Sequence, residues 1–288
     1  MDPRESKLAM ERNQAWWETL KGARSTAIAR SSGRSSTVKL YAMTCGWLSA
    51  DVSSMLARES GRIRFPVPAY LIQHPKGHVL FDTGLHPASG HDPHGRVGVL
   101  ANFFDIHFRP GEDIASRLNQ LEIDPKQIAY IVNSHLHFDH SGGNELIPNA
   151  KVIIQQKEWE AGHTPELMEA NAYNLQDYDH GHLVHQVHGE HDVFGDGSVV
   201  TIPTFGHTPG HQSLLVRLEA GDIVLAADAC YFRRTLEELH LPKLVHDRSQ
   251  MLDSLLLLRR MRARGARIFY GHDPDFWKEV PQAPMEVL

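Results

Sequence analysis

The chain has 288 residues, a length that fits one large domain or two small ones. Its 41% hydrophobic and 22% charged residues are typical of a soluble globular protein, and a net charge of -6 gives no reason to expect a nucleic-acid partner. No apolar run approaches the roughly 20 residues of a membrane span, and the two cysteines fit a reducing compartment, so we expect a cytoplasmic protein without a membrane partner.

Residues 1–36 are predicted to be an appendage to the folded body. A helical pattern with Trp16 and Trp17 on a partial apolar face is followed by a linker rich in Ser and Gly. We expect this helix to pack on the body or on a second copy of the chain in a homodimer. The folded domain is expected to cover residues 37–288.

The first half of the body is predicted to consist of strands joined by long loops. Apolar runs predict strands at 37–43, 63–72, 78–81 and 128–132, and an apolar face predicts a helix at 113–121. The second and third of these strands form a hairpin that ends in Asp82, just before a glycine turn. Residues 45–51 are expected to be a loop, and residues 85–110 a long loop or short helices.

The second half continues the alternation of strands and helices. Strands are predicted at 151–154, 198–205, 213–218, 223–227 and 267–270, and helices at 156–161 and 249–263. The 213–218 and 223–227 strands form a second hairpin. Residues 162–197 are polar and are expected to be irregular, with scattered histidines that we discount as ligands.

The stretch Ser134–Gly143, which reads SHLHFDHSGG, concentrates potential metal ligands directly after a predicted strand. Three imidazoles and one carboxylate fall within six positions: His135, His137, Asp139 and His140. Histidine and aspartate are ligands for zinc and related divalent metals. A polar turn with surface histidines is the alternative, and four donors in six residues argue against it.

Three further apolar runs each end at a potential ligand. Phe205 precedes His207 closely, Ala227 precedes Asp228, and Tyr270 lies two residues before His272. If these strands share a direction, their ends meet at one edge of the fold, where sites are commonly built from several loops. The combined set has seven donors: His135, His137, Asp139, His140, His207, Asp228 and His272. Seven are too many for one tetrahedral zinc but suffice for two metals that share a carboxylate.

This pattern, His-x-His-x-Asp-His followed by a distant His, Asp and His, resembles the metallo-β-lactamase superfamily. The resemblance covers about residues 37–275 and implies an α/β fold, an αββα sandwich of two mixed β-sheets flanked by helices, with the metals at one edge. Matching by position implies one metal held by His135, His137 and His207, and a second held by Asp139, His140 and His272. It further implies that Asp228 bridges the metals and that Asp82 and His211 orient ligands.

Within that superfamily the chain is similar to the N-acyl-homoserine lactone lactonases, which silence bacterial quorum signals. The likeness rests on SHLHFDH over 134–140, GHTPGHQS over 206–213, DACY over 228–231 and RIRFPV over 62–67. It implies a small-molecule lactone substrate and two divalent metal ions, with zinc favoured and cobalt or iron as alternatives. It also implies two catalytic residues: Tyr231, which would stabilise the oxyanion, and Asp139, which would pass a proton to the leaving oxygen.

Substrate choice is where the chain departs from the family pattern. The stretches 46–60 and 86–110 match no particular member, and they are expected to shape the acyl pocket. Candidate acyl-chain contacts are Phe138, Trp47, Phe103 and Phe104. The alternatives are a hydrolase of another lactone or of a thioester of the glyoxalase II type, an iron-dependent oxidoreductase of the same superfamily, and a non-catalytic metal-binding module.

Overall fold

Two mixed β-sheets form the centre of the structure, a computed structural model that describes residues 38–288. The predicted extension over residues 1–36 lies outside the described residues. The strands of the larger sheet are β1 (Lys39–Asp51), β2 (Arg62–His74), β3 (Gly77–Phe81), β4 (Asp105–His107), β5 (Ile128–Val132), β6 (Lys151–Gln155) and β7 (Val184–Val187). They lie in the order β4-β1-β2-β3-β5-β6-β7, with parallel pairing from β3 through β5 and β6 to β7 and antiparallel pairing elsewhere.

The second sheet is smaller and mostly antiparallel. Its strands are β8 (His191–Asp192), β9 (Val199–Pro203), β10 (Gln212–Leu218), β11 (Gly221–Leu225) and β12 (Arg267–Phe269). They lie in the order β12-β11-β10-β9-β8. Among the described strand pairs of this sheet, only β11–β12 is parallel.

The described residues also form α-helices. They are α1 (Pro93–Val97), α2 (Ile114–Asn119), α3 (Phe138–Ser141), α4 (Gln156–Ala161), α5 (Pro165–Ala170), α6 (Arg233–Glu238), α7 (Arg248–Ala263) and α8 (Pro274–Glu279). The carboxylates of Asp113 and Asp247 accept backbone N–H bonds at the starts of α2 and α7, which satisfies donors that a helix end leaves free. No helix in this part of the chain has the length and hydropathy needed to cross a membrane.

Alternation along the strands divides the apolar side chains between an inner and an outer core. On β1, Leu40 and Ala42 point between the sheets, whereas Tyr41 and Met43 point to the outer face. On β11, Ile223 and Leu225 point inward, and the side chain between them packs outward with α7. Buried side chains from both sheets therefore interdigitate, and each outer face buries its own layer of helices. This arrangement confirms the predicted αββα sandwich.

The structure corrects the prediction of a loop over residues 45–51. β1 continues through this stretch to Asp51 and pairs with β2 along its whole length. The register shifts between Thr44 and Trp47, where Gly46 has a φ of +110°. A bulge of this kind interrupts the alternating pattern, and glycine supplies the backbone conformation it needs. The sequence pattern therefore breaks although the strand does not.

Residues 162–197 are also more ordered than predicted. They contain α5, β7 and β8. Both strands are short and lie at the edges of their sheets, where one side faces solvent, so few of their side chains are apolar. The short elements β4, α6 and α8 were not predicted either, because a run of three to six residues carries too little periodicity.

Candidate metal centre

Five strands end at one edge of the sandwich. The segments that follow them carry all seven predicted ligands and Asp82. Asp82 follows β3, and the segment with His135 to His140 follows β5. His207 lies between β9 and β10, Asp228 follows β11, and His272 follows β12. Six of the seven ligand residues are less than a tenth exposed, and His137 is half-buried. The ligands form two groups of potential metal-binding atoms: His135, His137, His207 and Asp228 in one, and Asp139, His140 and His272 in the other.

In the first group, three imidazoles point ring nitrogens at one another. His137 Nδ1 lies 2.9 Å from His135 Nε2 and 3.1 Å from His207 Nε2. The carboxylate of Asp228 completes the group, with Oδ2 3.3 Å from His207 Nε2 and 3.9 Å from His135 Nε2. The four ligand atoms all lie within 4.8 Å of one another, which is compatible with tetrahedral binding of a single ion.

The second group surrounds the other oxygen of Asp228. This atom, Oδ1, lies 3.0 Å from His272 Nε2 and 3.2 Å from His140 Nε2. Asp139 Oδ2 lies 3.6 Å from His272 Nε2 and 3.7 Å from His140 Nε2. Asp228 therefore presents one oxygen to each group, which is the arrangement required of a carboxylate shared by two ions.

The hydrogen bonds of the histidines fix where their protons lie. His272 Nδ1 bonds the carbonyl oxygen of Pro66 at 2.9 Å, and His137 Nε2 bonds that of Asn171 at 2.8 Å. A carbonyl oxygen can only accept, so these nitrogens carry the protons and donate. The opposite nitrogens, which face the metal groups, are left with lone pairs. This is the form in which a histidine binds a metal.

Ser134 and Asp82 fix the protons of two more ligands. Asp82 Oδ2 accepts from His140 Nδ1 and from the Ser134 hydroxyl, both at 2.8 Å, while Asp82 Oδ1 accepts from the Ser134 N–H at 2.7 Å. Because the Ser134 hydroxyl donates to Asp82, its oxygen accepts from His135 Nδ1 at 2.9 Å. The proton that each ring donates is therefore on Nδ1, and the Nε2 atoms of His135 and His140 face the metal groups. Asp82 has a φ of +58°, a conformation that aspartate tolerates better than most residues.

The charges and burial of the site fit divalent cations. Burial lowers the pKa of His135, His137 and His207, which keeps these imidazoles neutral. Burial would also lower the pKa of His140, but the carboxylates around it outweigh burial and raise its pKa well above the ordinary value. His140 Nε2 and Asp228 Oδ1 are buried without a hydrogen-bond partner among residues 38–288. A divalent metal ion satisfies such atoms and replaces the proton that the carboxylates attract.

Replacing Asp82 with asparagine should weaken the metal position that contains His140. The amide cannot accept from the Ser134 and His140 donors at both of its ends, so the orientation of the His140 ring is lost. We expect a loss of about 10–100-fold in the affinity of that position. Titration of metal-free protein with Zn²⁺ against a chromophoric chelator measures it. Asp105→Asn, at an exposed carboxylate of β4, is the control, and equal affinities in both variants would contradict the role.

His211 lies beside the centre but does not hydrogen-bond a predicted ligand. Its Nδ1 is 2.9 Å from the hydroxyl oxygen of Thr204, and its ring centroid lies 5.2 Å from that of His135. The rings of His211 and His135 are thus in packing contact. Burial lowers the pKa of His211 to about 3, so its ring is neutral.

Tyr231 lines the same edge and is buried. Its hydroxyl oxygen lies 3.1 Å from His207 Nδ1, and its ring stacks on that of His272 with centroids 5.8 Å apart. Burial and the nearby carboxylates of Asp228 and Asp139 raise the pKa of the phenol well above its ordinary value, so it keeps its proton. When His207 Nε2 faces the metal group, its Nδ1–H donates to the Tyr231 oxygen, and the phenol proton is left for another acceptor.

An apolar cluster adjoins the centre on the side of Tyr231 and Phe138. Phe138 is 6% exposed, and Phe104 packs against it with ring centroids 5.8 Å apart. Phe103, which precedes Phe104 in the chain, is 66% exposed. Trp47 packs instead against the core between the two sheets, with the Arg64 guanidinium 5.0 Å from the centre of its ring. The structure thus brings Phe138 and Phe104 together beside the centre and leaves Trp47 apart from them.

Two orienting groups were not predicted from the sequence. The carbonyls of Pro66 and Asn171 hold His272 and His137, and both are main-chain atoms. Pro66 lies 206 residues from its partner, and the Asn171 bond depends on the path of the chain after α5. A backbone acceptor leaves no side-chain signature, so no motif could have pointed to either.

Comparisons with known proteins agree with this architecture. The family model of the Metallo-beta-lactamase superfamily matches residues 62–272. N-acyl homoserine lactonase AttM of Azorhizobium caulinodans is 35% identical over 256 residues, covering 86% of this chain and 97% of its own length. N-acyl homoserine lactonase AiiA of Bacillus thuringiensis subsp. kurstaki is 32% identical over 243 residues, covering 82% and 93%. A solved N-acyl homoserine lactone hydrolase, with N-hexanoyl-L-homoserine bound at its catalytic metal center, matches with a TM-score of 0.77 at 29% identity, covering 86% and 98%.

Proposed function

This chain belongs to the metallo-beta-lactamase superfamily, and we propose that it hydrolyses the ester bond of N-acyl homoserine lactones and so opens their ring. One observation carries the proposal: the Asp228 carboxylate directs one oxygen to each of two histidine-containing groups. The relatives named as N-acyl homoserine lactonases, which this chain matches over most of its length, supply the substrate class. Opening the ring converts the signalling lactone into an acyl-homoserine and so removes a quorum signal.

We assign the metal ligands by the two groups. His135, His137 and His207 would hold one divalent ion, Asp139, His140 and His272 would hold the other, and Asp228 would be shared by both groups. Zinc is the proposed metal, because imidazole and carboxylate ligands in this number suit it. When bound, two such ions supply an activated water at neutral pH and draw electron density from the ester carbonyl.

Tyr231 donates a hydrogen bond to the carbonyl oxygen as negative charge develops on it. The bond from His207 Nδ1–H to the phenol oxygen directs the phenol proton away from His207. Because the hydroxyl is buried and protonated, it can stabilise an oxyanion in surroundings of low dielectric, where such a bond is strongest.

Asp139 moves the proton. Its carboxylate is part of the second group, with Oδ2 3.6 Å from His272 Nε2. It accepts a proton from the attacking water and passes it to the ring oxygen as the ester bond breaks. One water is consumed, and the product carries a new carboxylate and a new hydroxyl while its amide bond stays intact.

The apolar cluster beside Phe138 receives the acyl chain. Phe138 and Phe104 offer buried apolar surface next to the reacting groups, and the exposed Phe103 extends that surface to the rim. Burial of methylene groups against these rings supplies binding free energy without polar recognition. Trp47 packs against the core between the sheets, and we propose no contact between it and the acyl chain.

Two buried cysteines in the thiol form, Cys45 and Cys230, support the proposal of a cytoplasmic protein. Their burial raises the pKa of both thiols, that of Cys45 to about 12, so they are poor nucleophiles and have no part in the proposed reaction.

A substrate panel on protein of known metal content tests the proposal. We expect N-hexanoyl-homoserine lactone to gain one water, seen by mass spectrometry, and to release acid, seen with a pH indicator. Chelation should abolish the reaction and added Zn²⁺ should restore it. Faster cleavage of a glutathione thioester would support the glyoxalase II alternative instead. Release of free homoserine lactone would show cleavage of the amide and contradict the proposal.

A further inference from the structure

Glu158 on α4 is a fully buried carboxylate that none of the proposed chemistry uses. It accepts four hydrogen bonds, all from neutral donors. Its Oε1 accepts from the Leu136 N–H at 3.1 Å and the Tyr173 hydroxyl at 2.5 Å. Its Oε2 accepts from the Thr208 hydroxyl at 2.9 Å and the Gly210 N–H at 2.8 Å. A buried carboxylate with this many partners is a fixed point in the structure.

Three of these four donors belong to the two loops that carry the three-histidine group. Leu136 lies between His135 and His137, so its N–H sets the path of the chain between two ligands. Thr208 directly follows His207, and Gly210 lies further along the same loop between β9 and β10. Each carboxylate oxygen of Glu158 therefore holds a different ligand loop, and the side chain ties the two loops together.

A third contact reaches the same group through Tyr173. Its ring packs on that of His137 with centroids 5.5 Å apart, while its hydroxyl donates to Glu158. The nearby carbonyl of Asn171 accepts from His137 Nε2. The orientation of His137 thus depends on a segment that Glu158 also holds.

The fit between α4 and the His207 loop is close. A Cβ atom at position 210 would lie 2.3 Å from the backbone nitrogen of Glu158, so only glycine allows this approach. The other metal group has different supports, since Asp82 holds His140 and the Pro66 carbonyl holds His272. The Leu136 and Thr208 partners of Glu158 adjoin His135, His137 and His207, and none of its four hydrogen-bond partners adjoins Asp139, His140 or His272.

We propose that Glu158 is a positioning residue that sets the spacing of His135, His137 and His207, and so controls the affinity of that half of the centre alone. The inference rests on the metal centre proposed above. A carboxylate is required because it accepts at both ends. Glutamine accepts at one end only, and its amide group would face a main-chain N–H of either Leu136 or Gly210, whichever way it turned.

Two single-ion backgrounds test this selectivity. His272→Ala leaves the three-histidine half to bind one ion, and His207→Ala leaves the other half. Glu158→Gln is introduced into each, and the affinity for Zn²⁺ alone is measured by competition with a chromophoric chelator. We expect a loss of about 10–100-fold in the His272→Ala background and no change in the His207→Ala background. Glu160→Gln, at an exposed carboxylate of the same helix, should change neither.

Each other result has a distinct meaning. Unchanged affinity in the His272→Ala background, or equal losses in both backgrounds, overturns the proposal, since the second result reports a general loss of structure. Absence of Zn²⁺ binding by the unmutated protein refutes the metal centre itself. If Glu158→Gln does not fold, Thr208→Val and Tyr173→Phe each remove one hydrogen bond from Glu158. Either must then lower the affinity in the first background alone.

Discussion

Replacing Asp228 with alanine is expected to empty both metal positions and to reduce lactone hydrolysis by at least about 10³-fold, because the proposed reaction depends on the proposed metal pair. The carboxylate oxygens of Asp228 lie 3.3 Å from His207 Nε2 and 3.0 Å from His272 Nε2, one in each group. With two divalent cations bound, its negative charge would offset their mutual repulsion. Loss of the side chain would remove one proposed ligand from each metal group together with that charge.

Elemental analysis of purified protein measures the metal content, and ring opening of N-hexanoyl-homoserine lactone measures the activity. Asp222→Ala is the matched control, since Asp222 lies on the same strand β11 but is paired with Arg217 away from the centre. The control should keep both metal and activity. Full metal content in Asp228→Ala would refute the bridging role and with it the two-metal proposal.

The position of Asp228 illustrates what the sequence could predict. Asp228, His207 and His272 are far apart along the chain, yet each follows an apolar run that forms a strand of the second sheet. The rule that strand ends gather at one edge was enough to group them. The structure brings them within reach of His135 and His140, and it also places Asp82 where it contacts two ligand segments.

What the sequence could not predict has physical causes that can be named. The bulge at Gly46 broke an alternating pattern and hid the second half of β1. The carbonyls that orient His137 and His272 are main-chain atoms, which carry no residue signal. The four bonds of Glu158 come from three separate segments, and such a hub exists only once the chain has folded.

The side of the strand on which a residue falls explains the placement of Trp47. The bulge between Thr44 and Trp47 shifts the alternation of β1, and a shift of one residue reverses which face a side chain occupies. Trp47 therefore packs with the core between the sheets, while its neighbour Leu48 joins the apolar cluster beside the centre. An aromatic residue near a predicted site is thus weak evidence of substrate contact until the register of its strand is known.

Replacing Tyr231 with phenylalanine is expected to lower kcat about 10²-fold while leaving the metal content and KM nearly unchanged. The substitution keeps the ring that stacks on His272 and removes only the hydroxyl. That hydroxyl, buried and protonated, is the group proposed to donate to the developing oxyanion, so its absence affects the transition state more than the bound substrate.

The loss of the Tyr231 oxygen also removes the acceptor of His207 Nδ1–H, so metal content must be measured alongside kinetics. Tyr270→Phe is the control, because Tyr270 is equally buried but packs on Phe276 within the outer core of the second sheet. If Tyr231→Phe turned over lactone as fast as this control, the phenol would have no catalytic role. If metal was lost in step with activity, the phenol would act by holding His207 rather than by stabilising the oxyanion.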